Sequence, residues 1–215
     1  CSATDHSYLS NSITQATDCG AITAPYTVNF TSFVSGLAPC WEKFSGLASD
    51  VFAGGALTST TSGWIFSSNN VYPTGHPKVN IYGTTCKYWL VTPAIDLSQL
   101  SNPALVFNLA LTDYGNANPI EDPTAQADDQ FMVIISTDGG STWSADNATV
   151  WDNTGNGDYA YNSISPTGDG IVVPLSQYQG QTIRIAFYAE STVSNGDNDL
   201  HFANVVVDES PACPK

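Results

Sequence analysis

The sequence predicts an all-β sandwich or barrel. Short runs of alternating apolar and polar residues recur along the chain, no stretch keeps an apolar period of 3.6, and turn-forming clusters separate the runs. The clearest runs are 104–111 (ALVFNLAL), 130–137 (QFMVIIST), 170–175 (GIVVPL), 181–189 (QTIRIAFYA) and 200–207 (LHFANVVV). In 181–189, Ile183, Ile185 and Phe187 fall on one face and Arg184, Ala186 and Tyr188 on the other, the pattern of a half-buried strand. In 130–137 both faces are apolar, Phe131, Val133 and Ile135 against Met132 and Ile134, which predicts a central strand covered on both sides. Turn signals lie at Asp138-Gly139-Gly140, across 153–157 (NTGNG) and across 195–198 (NGDN). The segment 174–180 (PLSQYQG) reads as one helical turn, with Leu175 and Tyr178 dipping into the core and Gly180 supplying a positive φ to leave it.

Charge excludes two classes of partner. The 215 residues carry 20 acidic against 5 basic side chains, a formal charge of −15. Nucleic acid and anionic lipid surfaces both select clustered Lys and Arg, whereas Lys43, Lys78, Lys87, Arg184 and Lys215 are scattered. No apolar run approaches the ~20 residues that span a bilayer, so membrane insertion is not expected. Nothing at the start reads as a signal peptide, and the chain is read as a mature product or an excised segment.

The cysteines, Cys1, Cys19, Cys40, Cys86 and Cys213, show no metal-binding spacing. Abundant Ser, Thr, Asn and Gly with little Lys or Glu resembles secreted β-proteins. The expected pairings are Cys1–Cys19 and Cys40–Cys86 with Cys213 left over; five reduced, buried thiols are the alternative. Cys1 as a lipidated residue stays open as well.

Enzymatic motifs are thin. The stretch 136–143 (STDGGSTW) fits the Asp-box pattern of sialidase propellers, but it occurs once, and a sialidase clamp needs three arginines where this chain has only Arg184. It is read as a tight hairpin in which a carboxylate binds backbone N–H groups and a tryptophan packs beneath. There is no nucleophile elbow, zinc-protease motif or phosphate-cradling loop. Among the 20 acids no glycosidase-like pair stands out. Exposed tyrosines would mark a sugar-binding face. Tyr72, Tyr82, Tyr114, Tyr159 and Tyr161 lie in loop-like stretches, with Tyr72 and Tyr114 the chosen ligand-binding candidates, while the five tryptophans read as core or hairpin supports.

An ordered set of segments resembles the cleaved-adhesin, MAM-like jelly-roll family, which includes the adhesin domains attached to gingipain proteases. The set comprises Cys40-Trp41, Trp64, 88–97 (YWLVTPAIDL), 129–136 (DQFMVIIS), the Leu-Ser-x-Tyr-x-Gly turn, Ile185-Ala186-Phe187-Tyr188 and 202–207 (FANVVV). The resemblance implies a jelly-roll β-sandwich of two antiparallel sheets over 21–210. Residues 1–20 resemble the last strands of a fibronectin type III module or a short N-terminal β extension, and 211–215 the start of a linker or next module. It further implies a non-catalytic adhesion module of a secreted or surface bacterial multidomain protein, whose partners are a host or matrix protein or a glycan, together with neighbouring modules of the same chain. A carbohydrate-binding module tethering a hydrolase, or a structural spacer, are the alternatives.

The family also implies structural calcium. Asp113 ends one predicted strand and Asp128-Asp129 begin the next, across a loop holding Glu121 and Asp122, so Asp113, Asp128 and Asp129 are the expected ligands if those strands pair. Solvation of a long exposed loop would explain the same acids. Relatives often carry acids where this chain has Asn29-Phe30-Thr31 and Ala203-Asn204, so a metal between the termini is not expected. Asp197 and Asp199, with Asn195 and Asn198, read either as cation donors or as a polar hairpin tip.

Overall fold

A computed structural model describes residues 19–28, 30, 37–67, 71–72, 75–122, 124 and 127–211. In chain order the strands are β1 (Ile22–Thr23), β2 (Tyr26–Val28), β3 (Glu42–Ser45), β4 (Thr58–Ser59), β5 (Ile65–Ser67), β6 (His76–Ile81), β7 (Lys87–Val91) and β8 (Ile95–Asp96). They continue with β9 (Pro103–Asp113), β10 (Gln130–Ser136), β11 (Ala148–Asp152), β12 (Tyr159–Ala160), β13 (Asp169–Pro174), β14 (Thr182–Glu190) and β15 (Asn198–Glu209). One short helix, α1 (Ala48–Phe52), follows β3.

Among the described residues the strands form two sheets. The larger runs β12-β11-β10-β14-β7-β3-β4, with β8 on β14 and β1 on β8; the smaller runs β13-β9-β15-β6-β5, with β2 on β15. All pairings are antiparallel except the two-residue pairs β1–β8 and β11–β12. The predicted all-β sandwich is therefore the fold. No helix of the described residues is long and apolar enough to cross a membrane.

The alternation read from sequence fills the space between the sheets. Phe131, Val133 and Ile135 of β10 and Ile183, Ile185 and Phe187 of β14 meet Leu105, Phe107, Leu109 and Leu111 of β9 and Leu200, Phe202, Val205 and Val207 of β15. On β15 the inward positions change from even to odd numbers. A bulge between Ala203 and Val206 makes that change, with Asn204 at φ 54°, a left-handed conformation that asparagine tolerates. Asn204 thus has a backbone role in the bulge.

One reading of the strands is corrected. β14 was expected to be half-buried, yet Ala186 and Tyr188 on its second face are fully buried. They belong to a second apolar cluster on the outer face of the larger sheet, with Val51, Trp89, Met132, Ile134 and Trp143, covered by α1 and the 136–143 hairpin. The Tyr188 hydroxyl donates to Glu190 and accepts from the Ala48 N–H, tying β14 to α1. Two local readings hold. Leu175 and Tyr178 are buried around a 3-10 turn (Ser176–Tyr178) before Gly180 at φ 74°, and all five tryptophans are buried.

Both expected disulfides are corrected. Cys19 is bonded to Cys40, with Cα atoms 5.6 Å apart, and Cys86 is a free, buried thiol. Strand register explains the pairing. Glu42 faces Val91 and Ser45 faces Tyr88, so Cys40 lies beyond the C-terminal end of β7 and Cys86 beyond its N-terminal end. At ~3.4 Å per residue they are roughly 20 Å apart, far outside disulfide reach. β1 instead runs beside β8, just past β7, and carries Cys19 to the Cys40 end. Cys1 and Cys213 lie outside the described residues, as does most of the segment likened to a fibronectin module.

Cys86 has its Sγ 3.6 Å from the Asn80 carbonyl oxygen and 3.8 Å from that of Ala189, and burial, with the Asp129 carboxylate nearby, pushes its pKa up to about 12. Alkylation of the native protein is therefore expected to miss Cys86, and non-reducing peptide mapping to recover a Cys19–Cys40 peptide. Serine at both positions 19 and 40 should cost about 3 kcal/mol of unfolding free energy, from the loop that the bond closes. A Cys40–Cys86 peptide would contradict the register.

Candidate functional site

The three acids expected to bind calcium are placed near one another but given separate work. β9 and β10 do not pair; they lie in opposite sheets. Their ends still meet, because Asn198 of β15 faces Asp113 in register and its Nδ2 donates to Asp129 Oδ2 at 2.7 Å. Asp113 Oδ2 accepts from Asn116 Nδ2. Asp128 caps the loop after β14, accepting from the N–H groups of Thr192 and Val193 and from Asn195 Nδ2. Burial works to raise the Asp128 pKa, but these donors outweigh it and hold the carboxyl below its usual range.

Asp129 is buried, and burial raises its pKa to about 7 against the opposing hydrogen bond from Asn198. Its Oδ1 has no partner among the described residues. Calcium wants six to eight oxygens, and one orphaned carboxylate oxygen beside a fully engaged Asp128 does not make that shell. Among the described residues no three His, Cys, Asp or Glu side chains group as a metal site. The set Asp113, Asp128 and Asp129 therefore does not fit calcium in this arrangement. Asp197 and Asp199 serve the hairpin tip: Asp197 Oδ1 accepts from Asn80 Nδ2, and Asp199 Oδ2 from Lys78 Nζ and the Gly115 N–H.

The tyrosine candidates separate. Tyr72 is half-buried, its ring edge-on to His76 at 5.2 Å, and its hydroxyl lies so close to Gly168 that a Cβ there would be 2.6 Å from it. It is turned inward rather than offered as a platform, because His76 and the 165–169 turn enclose it. Tyr161 is fully buried, donating to Asn198 Oδ1. Tyr114 is 56% exposed with Lys78 Nζ 5.8 Å from its ring centre. Tyr159 is half-exposed and stacks on Trp151, centroids 4.9 Å apart, beside a 230 Å³ recess lined by Asp152 and Asp158. Asp152 accepts from Thr154 and Gly157 within that loop, and Asp158 Oδ2 accepts from the Val150 N–H.

Sequence reasoning missed the recesses on the outer face of the larger sheet. The 136–143 hairpin forms as expected: Asp138 accepts from the Thr142 N–H and hydroxyl and from Ser136 Oγ, and the Thr142 contacts lead in holding its pKa far below normal. Trp143 packs beneath against Trp89 at 5.6 Å. Arg184 faces Ser136 in register, so it lies against the hairpin. Its Nε donates to the Thr92 carbonyl at 2.8 Å and its Nη2 to the Glu42 carboxylate. On one side of Arg184 opens a groove of about 360 Å³ lined by Glu42, Pro93, Ala94, Gly139 and the disulfide; on the other, a slot of about 240 Å³ between α1 and the hairpin. Arg184 as the chain's single arginine, on the strand face opposite Ile183 and Ile185, was the only signal available in the sequence.

A two-sheet β-sandwich of this kind recurs among solved structures. Solved structures with the same fold include the K1 cleaved adhesin domain of Lys-gingipain from Porphyromonas gingivalis W83, 17% identical over 86% of this chain and 98% of that one, with a TM-score of 0.52. The K3 cleaved adhesin domain of the same protein is 15% identical over 86% and 98%, TM-score 0.49. The module TmCBM61 in complex with beta-1,4-galactotriose is 8% identical over 85% and 99%, TM-score 0.48. No family model and no curated protein matches the chain.

Proposed function

We propose that this chain is a non-catalytic binding module of a secreted or surface-exposed protein, serving adhesion through the outer face of its larger sheet. One observation carries the reading: the groove and slot flanking Arg184 have largely apolar walls, and the only carboxylate among their described lining residues, Glu42, is paired with Arg184. Such a lining suits recognition, since hydrolytic chemistry would call for a second acid or a nucleophile–base pair beside the first. The fold shared with an adhesin domain and the Cys19–Cys40 bond, which favours an oxidising compartment, support the same reading. Partners of this class are host or matrix proteins and glycans, and neighbouring modules of the same polypeptide would set their context.

The test is retention of the chain on immobilised glycans and matrix proteins, with the eluate assayed for cleavage. Retention without product is expected. Release of products, or no retention on any surface, would overturn the proposal.

A further inference from the structure

A flat aromatic surface and a free carboxylate oxygen meet at the edge of the larger sheet. Trp151 of β11 and Tyr159 of β12 face each other in register, and their rings stack with centroids 4.9 Å apart and planes 22° apart. Trp151 is 2% exposed and belongs to the core, whereas Tyr159 is 51% exposed. One face of the Tyr159 ring is covered by Trp151, so its exposure falls on the other face and on the ring edge. Stacking on an indole that is itself held in the core fixes the plane of that exposed ring. The ring lines a recess of 230 Å³ together with Asp152, Gly155 and Asp158. The recess is open to solvent: Asp158 and Tyr159 are both exposed, and a Cβ placed on Gly155 would meet nothing within 4 Å. Asp158 Oδ2 accepts from the Val150 N–H, while its Oδ1 has no hydrogen-bond partner among the described residues. Asp152 is engaged by Thr154 and Gly157, which fix the loop that shapes the recess.

We propose that this recess is a second binding site and that it takes one neutral pyranose unit of a glycan. It shares no lining residue with the groove beside Arg184, so it does not depend on that groove. A pyranose presents C–H groups on its faces and hydroxyls around its rim. Its face lies on the open side of Tyr159, which removes apolar surface of both from water. A rim hydroxyl donates to Asp158 Oδ1, a charge-assisted bond of the stronger kind. An acidic sugar is disfavoured, because two carboxylates and no basic side chain line the recess and the chain carries −15 overall. Sites for drug-sized ligands run to about 300–1,000 Å³, so 230 Å³ suits a single ring with the rest of the glycan outside. A bare cation fits less well. Calcium wants six to eight oxygens, and the oxygens of Asp152 already accept from Thr154 and Gly157.

The experiment is calorimetric titration of the full chain, in EDTA, with cellotriose, maltotriose, mannotriose and trigalacturonate. At least one of the three neutral trisaccharides should bind saturably, and trigalacturonate should bind at least tenfold more weakly. Tyr159→Ala removes the platform and should weaken binding roughly tenfold, whereas Tyr159→Phe keeps the ring and should bind like the natural sequence. Asp158→Asn keeps the size and loses the charge, and should weaken binding about threefold to tenfold. Circular dichroism reports whether Tyr159→Ala, which uncovers Trp151, still folds. Amide shifts of the natural sequence with the bound sugar should centre on 152–160, and this readout needs no variant. No binding of any neutral trisaccharide, equal binding of trigalacturonate, undiminished binding by folded Tyr159→Ala, or binding only when calcium replaces EDTA would each overturn the proposal. Sugar binding that shifts 139–143 and leaves 152–160 unmoved would also overturn it, and would leave the proposed function at the Arg184 groove standing.

Discussion

Replacing Phe187 with alanine is expected to destabilise the protein by about 3–5 kcal/mol, the largest effect of any single truncation we anticipate. Phe187 projects from β14 at the centre of the larger sheet and is fully buried. Its ring stacks on Phe202 of the smaller sheet with centroids 4.2 Å apart and planes 15° apart, and meets Phe107 edge-on at 5.5 Å. Trp41 lies at 6.0 Å and Phe131 at 6.4 Å, both near-parallel. Truncation thus removes the contact through which the sheets hold each other and leaves a void between rings that cannot close without moving strands. At this chain length the expected fall in melting temperature is about 10 °C. Val172→Ala, at a position 39% exposed on β13, should change stability by less than about 0.5 kcal/mol. Urea unfolding of the two variants checks the pair, and a loss below about 1 kcal/mol for Phe187→Ala would mean that the sheets do not meet there.

The second large effect is on the pH dependence of stability, where two buried groups act in opposite directions. His201 is buried, its Nδ1 3.0 Å from His76 Nε2 and its Nε2 3.1 Å from Thr112 Oγ1, with Lys78 on the adjacent strand bridged to Asp199. Burial, reinforced by His76 and Lys78, lowers its pKa to about 3. The unfolded chain therefore takes up this proton first, so the His201 contribution is present above pH ~6.5 and lost as pH falls toward 3. Asp129 has the reverse sign. Its folded pKa near 7 lies above the unfolded value near 3.8, so the folded state holds the extra proton between them. Its contribution is present below pH ~4 and lost as pH rises through 7.

Asp129→Asn isolates the acidic half. Between pH 4 and pH 8 the stability of this variant relative to the natural sequence should improve by about 4 kcal/mol, the worth of a pKa displaced by three units. Chemical denaturation at several pH values measures the difference. A flat difference would mean that Asp129 ionises normally in the folded protein.

The strands were legible because their side chains alternate wherever one face meets the core, and the five strongest runs became β9, β10, β13, β14 and β15. The covered second face of β14 was not legible. Arg184, Ala186 and Tyr188 read as a solvent face, and only the approach of α1 and of Trp143, distant in sequence, buries the last two. The disulfides failed for a similar reason. Cysteine spacing carries no register, and register alone puts Cys40 beside Cys19 instead of Cys86. At the acidic end Asp113, Asp128 and Asp129 gather at one end of the sandwich, and Asn198 and the 191–195 loop, which engage them, read in the sequence only as turn residues. The slot beside Gly140 left almost no trace, since its walls come from α1, from a hairpin explained by its own turn chemistry and from an arginine that looked exposed.

Recognition on the outer face of the larger sheet is what the proposed function requires. Amide chemical-shift mapping, with whichever immobilised glycan or matrix protein retains the chain, tests it most directly. Perturbations should centre on Gly140 to Trp143, Val91 and Arg184; shifts confined to β13, β9 and β5 of the smaller sheet would contradict it.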